Sequence, residues 1–139
     1  MPTQPRPEQI KEFFTNAPTG PLIMLNLLKF KEKAEYADGR ETTISGLDAY
    51  NIYAEMMGKR IRTDGGRLVF SAETNVLVIG DGELEWDAVA VVEYASLENF
   101  QNIVSSPEYQ EMGLHRDAGL AHQLLINCVD SEQAIAFNK

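Results

Sequence analysis

Pro21–Phe30, PLIMLNLLKF, constrains the fold more than any other part of the sequence. Nearly all of its residues are apolar, yet Asn26 stands in the middle and Lys29 near the end. The segment is about half as long as a membrane-spanning helix must be. A Gly-Pro pair at its start sets a sharp entry. A short apolar run of this kind is typical of a β-strand that is buried on both faces.

Side-chain alternation divides this strand into two faces with different expected environments. Met24, Asn26 and Leu28 lie on one face, and we expect them to floor a cavity beneath helices. The opposite face is expected to contact a second subunit, with Lys29 at the rim of the contact. That opposite face consists of Ile23, Leu25 and Leu27.

The rest of the chain alternates between helical and extended patterns. A short helix can begin at Pro7, and a first main helix is expected over about Gly46–Asp64 with Ser45 as its N-cap. Ser96 caps a second main helix, which restarts at Ser106-Pro107-Glu108. The polar segment 31–45 is long for a connection, which favours a functional or interface loop. The expected strands are residues 22–30, 67–80, 86–94 and 122–129.

This order, β-α-β-β-α-β, predicts an α+β ferredoxin-like fold with a four-stranded antiparallel sheet. Strands one and three are expected at its centre and parallel to each other, with strands two and four as edges. Right-handed crossovers place both main helices on one side of the sheet. The other side remains apolar, so we expect a homodimer through that sheet face. The alternative is that the N-terminal helix and the tail cover it.

Length, charge and cysteine content limit the possible functions. The 139 residues predict a single domain, with a core over residues 20–129, an arm and short helix over 1–19, and a tail over 130–139. The net charge of −9 argues against nucleic-acid partners and anionic membranes. A single cysteine, Cys128, and no signal-peptide pattern predict a cytoplasmic protein.

Arg116 is the most informative candidate site residue. It shares an expected inward helix stripe with Tyr109 and Met112, where an arginine normally needs a partner. One interpretation is a clamp for a substrate carboxylate or phosphate. The alternatives are a structural ion pair with Asp87 or Glu93, or a side chain that snorkels out to solvent.

Two further residues are candidates for proton transfer. His115 could act as a general acid or base near neutral pH, or could be an ordinary helix residue. Asp87 is either an acid/base group or the partner of Arg116. His122 has a weaker case, and the two histidines do not form a metal-binding motif.

Besides Arg116, the candidates for the lining of the cavity are Asn26, Tyr50, Trp86, Tyr109 and Met112. Asn26 is costly to bury without hydrogen bonds, so it either binds a ligand or ties down neighbouring backbone. Tyr50 could offer a hydroxyl to the same cavity, with core packing as the alternative. Trp86 can form an aromatic wall, together with Met112.

Several motifs in order resemble one protein family. LNLLKFKEKAEY, DGRE, SGLDAY, GGRLVF, GDGELEWDAVAVVEY and SPEYQEMGLHRDAGL are similar to domain of unknown function 1330, over about residues 20–129. That family is similar to the dimeric α/β-barrel superfamily. The resemblance implies back-to-back pairing of two ferredoxin-like units and ligands bound between the sheet and helices of one subunit. Superfamily members include cofactor-free monooxygenases, muconolactone isomerase-like enzymes and haem-degrading enzymes.

The haem-degrading relatives use an asparagine, a tryptophan and a histidine on this fold. Asn26, Trp86 and His115 fit that set superficially. However, His115 comes late in its helix, whereas the resemblance requires an early position, and an inward Arg116 suits a small anion better than a macrocycle. We therefore expect no cofactor and no metal.

The sequence thus leads to a functional expectation without fixing a reaction. The leading hypothesis is a small enzyme that acts on a small anionic or phenolic metabolite, by isomerisation or by cofactor-independent oxygenation. In it, Arg116 fixes the anion and His115, with Asp87 or Tyr50, moves a proton. The rivals are a non-catalytic dimer that binds or senses such a metabolite, and a structural dimer without a ligand.

Overall fold

A computed structural model of the chain describes residues 2–130 and 135–137, and these form one sheet covered by helices on one side. None of the described helices is long and apolar enough to cross a membrane. The elements in chain order are α1 (Pro7–Asn16), β1 (Leu22–Phe30), α2 (Gly46–Thr63), β2 (Arg67–Glu73), β3 (Ala88–Tyr94), α3 (Leu97–Val104), α4 (Pro107–Gly119) and β4 (Leu120–Cys128).

The strand order is β2-β3-β1-β4, and every neighbouring pair is antiparallel. This is the ferredoxin-like α+β arrangement, and the central places predicted for β1 and β3 are confirmed. The expectation that these two strands are parallel was wrong. The crossover through α2 makes β2 parallel to β1, and the reversal between β2 and β3 then turns β3 antiparallel to β1.

The helices begin where the sequence predicts. Ser45 caps α2, because its hydroxyl accepts a hydrogen bond from the backbone N–H of Asp48 at 3.0 Å. Ser96 caps α3 in the same way through Asn99 at 3.0 Å. Pro107 opens α4 as a separate helix, since proline cannot donate the backbone hydrogen bond needed to continue α3.

The main core lies between the sheet and the helices. Met24 and Leu28 of β1 are buried on the helix side, as predicted. Helix α1 packs against the same core through Phe13, whose ring centroid is 5.9 Å from that of Phe100. α1 is therefore on the helix side and does not cover the opposite sheet face, while most of the C-terminal tail lies outside the described residues.

The second strand is shorter than predicted. We expected it to continue to residue 80, but β2 ends at Glu73 and a connection over residues 74–87 precedes β3. Thr74 and Asp87 hold the base of this connection together through a backbone hydrogen bond of 3.0 Å. The apolar run inside it pairs with none of the described strands, and Val78 and Ile79 are 85% and 91% exposed. Strand β3 correspondingly starts at Ala88 rather than Trp86.

Candidate functional site

A large cleft separates α2 from the β3–β2 half of the sheet. Its volume is about 1300 Å³, and it is open on one side. Side chains from β1, α2, β3 and the connection before β3 lie around its floor and walls. They include Asn26 and Phe30 from β1, Tyr50, Tyr53 and Ala54 from α2, Tyr94 from β3, and Trp86 and Asp87 from the preceding connection.

The α2 wall is the apolar stripe that helical periodicity predicts. Leu47, Tyr50, Ala54, Met57 and Ile61 all line the cleft. Met57 and Ile61 are buried at its inner end, whereas Leu47 is 46% exposed and Ala54 is exposed at its open part. A core-facing stripe that protein atoms only partly cover leaves room for a ligand.

Aromatic rings form a continuous run along this wall. The Tyr50 ring centroid is 5.3 Å from that of Phe30 and 5.2 Å from that of Tyr53. Burial raises the pKa of Tyr50 to about 12, with a small opposing effect from Arg116. The Tyr50 hydroxyl is therefore a proton donor in hydrogen bonds at neutral pH and not a base.

Asn26 lies on the cleft floor and is held by protein groups. Its side-chain N–H donates to the Ala90 carbonyl at 3.1 Å, and its oxygen accepts from the amide of Gln123 at 2.7 Å. The bond to the Ala90 carbonyl is of the kind expected if Asn26 ties down neighbouring backbone. Asn26 is also one of the residues that line the cleft.

Arg116 lies behind this floor rather than in the lining of the cleft. Its guanidinium donates to the carboxamide oxygen of Gln123, to the Thr3 carbonyl at 2.7 Å and to Asp117 at 2.8 Å. The side chain is only 12% exposed. The interpretation of Arg116 as the partner of Asp87 or Glu93 was wrong, because Asp87 pairs with Lys29 and Glu93 with Arg67, while Arg116 finds acceptors on the N-terminal arm, β4 and α4.

Asp87 is engaged with β1. Its carboxylate accepts from the backbone N–H of Phe30 at 2.9 Å and forms an ion pair with Lys29 at 3.2 Å. Trp86, next to it, borders the cleft and packs edge-on against His122 with ring centroids 6.1 Å apart. Asp87 thus fastens the start of β3 to the end of β1.

His115 belongs to a different cluster, between the 31–45 loop and α4. Its Nδ1 is 2.6 Å from the Tyr36 hydroxyl, and its Nε2 is 3.4 Å from the Glu111 carboxylate. The Arg40 guanidinium lies over the Tyr36 ring, 4.7 Å from its centroid. The predicted proton-transfer pairing of His115 with Asp87 or Tyr50 does not form, because those two residues line the cleft, whereas His115 contacts Tyr36 and Glu111.

The Tyr36–His115 hydrogen bond holds the long loop against α4. We expect Tyr36→Phe to lower the free energy of unfolding by about 1.5 kcal/mol, since it leaves a mostly buried ring nitrogen without its partner. Urea denaturation followed by circular dichroism measures this. The control is Tyr109→Phe, whose hydroxyl makes no hydrogen bond to the described residues and which should change stability by less than about 0.5 kcal/mol. Equal losses in both variants would contradict the assigned role.

The remaining predicted residues are packed in the core. Met112 is 2% exposed and belongs to the main core cluster, and Tyr109 packs against that cluster. Neither lines the cleft. Sequence reasoning missed Tyr36, which precedes a turn in a polar loop, and Tyr94, which reads as a strand end.

The described residues contain no group of three His, Cys, Asp or Glu side chains that could hold a metal ion. The set that haem-degrading relatives would require does not converge either. Asn26 and Trp86 border the cleft, whereas His115 lies in the Tyr36 cluster.

Several solved structures are similar to this chain. The crystal structure of the methylated RPA0582 protein is 32% identical, covers 96% of this chain and 98% of its own, and has a TM-score of 0.84. A second structure of RPA0582, a protein of unknown function from Rhodopseudomonas palustris, is 29% identical over 93% of this chain and 96% of its own, with a TM-score of 0.81. An uncharacterised NIPSNAP-like domain protein from Burkholderia xenovorans is 16% identical over 83% and 89%, with a TM-score of 0.50, and shares the fold.

Sequence comparison gives a family but no activity. No curated protein matches the chain. The model of domain of unknown function 1330 matches residues 29–128, which include the cleft-lining part of α2, all of β2 and β3, and the Tyr36–His115 cluster. The chain therefore belongs to the DUF1330 family.

Proposed function

We propose that this protein binds a small, partly apolar, anionic or phenolic metabolite in the cleft between α2 and the sheet. The observation that carries the proposal is the open α2 stripe, which presents core-type residues to about 1300 Å³ of space. Apolar surface of this kind in a concave site is stabilised by a ligand that removes it from water. Aromatic walls at Phe30, Tyr50 and Trp86 suit a planar ligand.

The charges around the cleft are compatible with an anion. Among the residues that line the cleft, Lys31 and Arg62 are cationic and Glu32 and Glu73 are anionic, whereas Lys29 and Asp87 neutralise each other in an ion pair. Arg116 adds a buried positive charge behind the floor, connected through Gln123 to Asn26. In this proposal Arg116 attracts the anionic group through the field of its charge and by orienting Asn26, rather than by direct contact.

The bound metabolite would be a substrate in the leading form of the proposal. A cofactor-free isomerase or a monooxygenase-like enzyme would activate it by stabilising negative charge on an oxygen atom. The alternative is a non-catalytic dimer that binds or senses the metabolite. Asp87 and His115, the two candidates for proton transfer, both make hydrogen bonds within the fold, and His115 does not line the cleft. These contacts favour the alternative. Turnover of a bound compound distinguishes the two.

Filling the cleft tests the proposal. Ala54 is exposed and lines the open part of the cleft, so Ala54→Phe can occupy the space without disturbing the core. We expect 4-hydroxybenzoate to raise the melting temperature of the wild-type protein, and its affinity to fall at least about tenfold in Ala54→Phe.

Glu55→Phe is the matched control. It places the same side chain one residue further along α2, on an exposed position outside the cleft. It should bind the probe like the wild-type protein. Stabilisation by 4-hydroxybenzoate that Ala54→Phe leaves unchanged would refute the cleft as the binding site.

We also propose that two copies pair through the open sheet face. The strand registers place apolar residues from all four strands on this face, and it is flanked by the ion pairs Lys29–Asp87 and Arg67–Glu93. Each ion pair is formed within one chain, so the charges at the rim of the face are neutralised. Two copies related by a two-fold axis can therefore bring their apolar residues into contact without placing like charges opposite each other. The apolar residues of the face are Ile23, Leu25, Leu27, Phe70, Ala72, Val89, Val91, Leu124 and Ile126.

The proposed location is the cytoplasm. The single cysteine, Cys128, is free and half-buried on β4. A protein with no disulfide is suited to a reducing compartment.

A further inference from the structure

Three tyrosines line the inner part of the cleft: Tyr50, Tyr53 and Tyr94. Tyr94 is only 7% exposed, and its ring packs edge-on against Phe100 with a centroid distance of 4.9 Å. Over residues 2–130 and 135–137, none of the three hydroxyls makes a hydrogen bond. A tyrosine hydroxyl without a partner in the protein can donate to a molecule that enters the space its residue borders.

These hydroxyls are not sealed inside the core. Within the described part of the chain, the sealed side-chain polar atom that lacks a partner is Asn99 Oδ1. The three tyrosine hydroxyls are therefore accessible to solvent, and the cleft is a space that all three residues border.

The tyrosines are also close enough to influence one another. The ring centroids of Tyr50 and Tyr53 are 5.2 Å apart. Burial raises the pKa of Tyr53 well above its usual value, and Tyr109, Tyr94 and Tyr50 raise it further. Burial likewise raises the pKa of Tyr94.

Arg116 is the nearby cation that acts on all three. Its positive charge opposes the rise in the pKa of Tyr50, Tyr53 and Tyr94. The guanidinium has five N–H donors, and three of them are used in hydrogen bonds: two on Nη2 and one on Nη1. The Nε–H and the second N–H of Nη1 are not used in these bonds. The inner end of the cleft thus combines neutral donors with a positive field.

This combination selects one kind of ligand group. Protonated hydroxyls donate, so the ligand must accept, and a single negative oxygen accepts more strongly than a neutral one. A phosphate dianion is disfavoured, because one partly neutralised guanidinium cannot compensate the loss of its hydration. The flat aromatic walls favour an oxygen attached to a planar apolar body.

We propose that Tyr50, Tyr53 and Tyr94 form an oxyanion-binding site at the inner end of the cleft, and that the ligand is a phenolate or an enolate. This rests on the proposed function, because it names the ligand class of the same cleft. The hydroxyls donate to the ligand oxygen, and the charge of Arg116 stabilises it from behind. If the protein is an enzyme, the site stabilises negative charge that develops on a carbonyl oxygen.

Two matched probes separate this inference from the function on which it rests. 4-Nitrophenol carries an ionisable oxygen whose phenolate absorbs visible light, and 4-nitroanisole has the same body but cannot ionise. Both should bind if the cleft is an apolar ligand site. We expect the phenolate to bind at least about tenfold more tightly than the anisole, and the pKa of 4-nitrophenol to fall on binding.

Single hydroxyl deletions supply the residue-level test. Tyr53→Phe and Tyr94→Phe keep the rings, and each should weaken phenolate binding by about tenfold while changing anisole binding less than about twofold. Tyr50→Phe provides a third variant if one of these fails to fold. Tyr36→Phe, outside the cleft, should leave both affinities unchanged.

Three results would overturn the inference. Equal affinities for the two probes would refute the oxyanion-binding site but not the proposal that the cleft binds a ligand. A phenolate preference that persists in all folded Tyr→Phe variants would assign it to other groups. Binding of neither probe would refute the inference together with the proposed function.

Discussion

Replacing Gly46 with alanine is expected to lower the free energy of unfolding by about 3 kcal/mol. Gly46 begins α2 where that helix crosses the end of β1 and the end of α4. A methyl group here would overlap with the Lys31 carbonyl oxygen and lie 2.8 Å from that of Gly119. Both obstacles are backbone atoms in hydrogen bonds, including Gly46 N–H to Lys31 at 3.1 Å, so neither can move aside without breaking the junction.

The control for this prediction lies in the same helix. Gly58→Ala places the same methyl group 3.2 Å from the flexible end of the Arg62 side chain, which can move away. This variant should therefore gain up to about 1 kcal/mol from helix propensity. Urea denaturation of both variants gives the comparison. Similar small changes in the two would show that the close approach at Gly46 is not required.

Replacing Ile126 with aspartate is expected to convert the proposed dimer into a monomer. Ile126 is 46% exposed and lies on the open sheet face opposite Leu25 of β1. In a two-fold contact the new carboxylate would be buried without a partner, which should raise the dimer dissociation constant about 100-fold or more. The substitution should leave the monomer folded, because the side chain is not in the core between sheet and helices.

Leu125 provides an unusually close control. It is the next residue, is 48% exposed and pairs with Asn26, so it points to the helix side. Leu125→Asp should keep the mass of the wild-type assembly in light scattering, whereas Ile126→Asp should show the mass of one chain. A wild-type protein that is already monomeric, or a dimer that survives Ile126→Asp, would contradict pairing through this face.

The fold was predictable because its strongest signals are local. The alternation of Met24 and Leu28 with their neighbours fixed which face of β1 is buried, and the capping residues fixed where the helices start. The helical stripe of α2 also predicted the cleft wall. These features depend on short-range geometry, which a single sequence records.

The errors concern features that depend on tertiary contacts. The run at Val76–Ile79 has the composition of a strand, yet no described strand lies beside it, and composition alone cannot show a missing neighbour. Arg116 and His115 were placed on the correct helix. Each has a partner on a segment outside the helix, Thr3 of the N-terminal arm for Arg116 and Tyr36 of the 31–45 loop for His115, and nothing in the helix pattern predicts how those segments dock.

Trp86 can directly test the claim that the cleft between α2 and the sheet binds a small molecule. Trp86 is the single tryptophan of the chain, and its side chain borders the cleft. Its fluorescence during titration with 4-hydroxybenzoate should change saturably in the wild-type protein and in Glu55→Phe, and should not change in Ala54→Phe. An unchanged signal in the wild-type protein, or the same saturable change in Ala54→Phe, would contradict the claim.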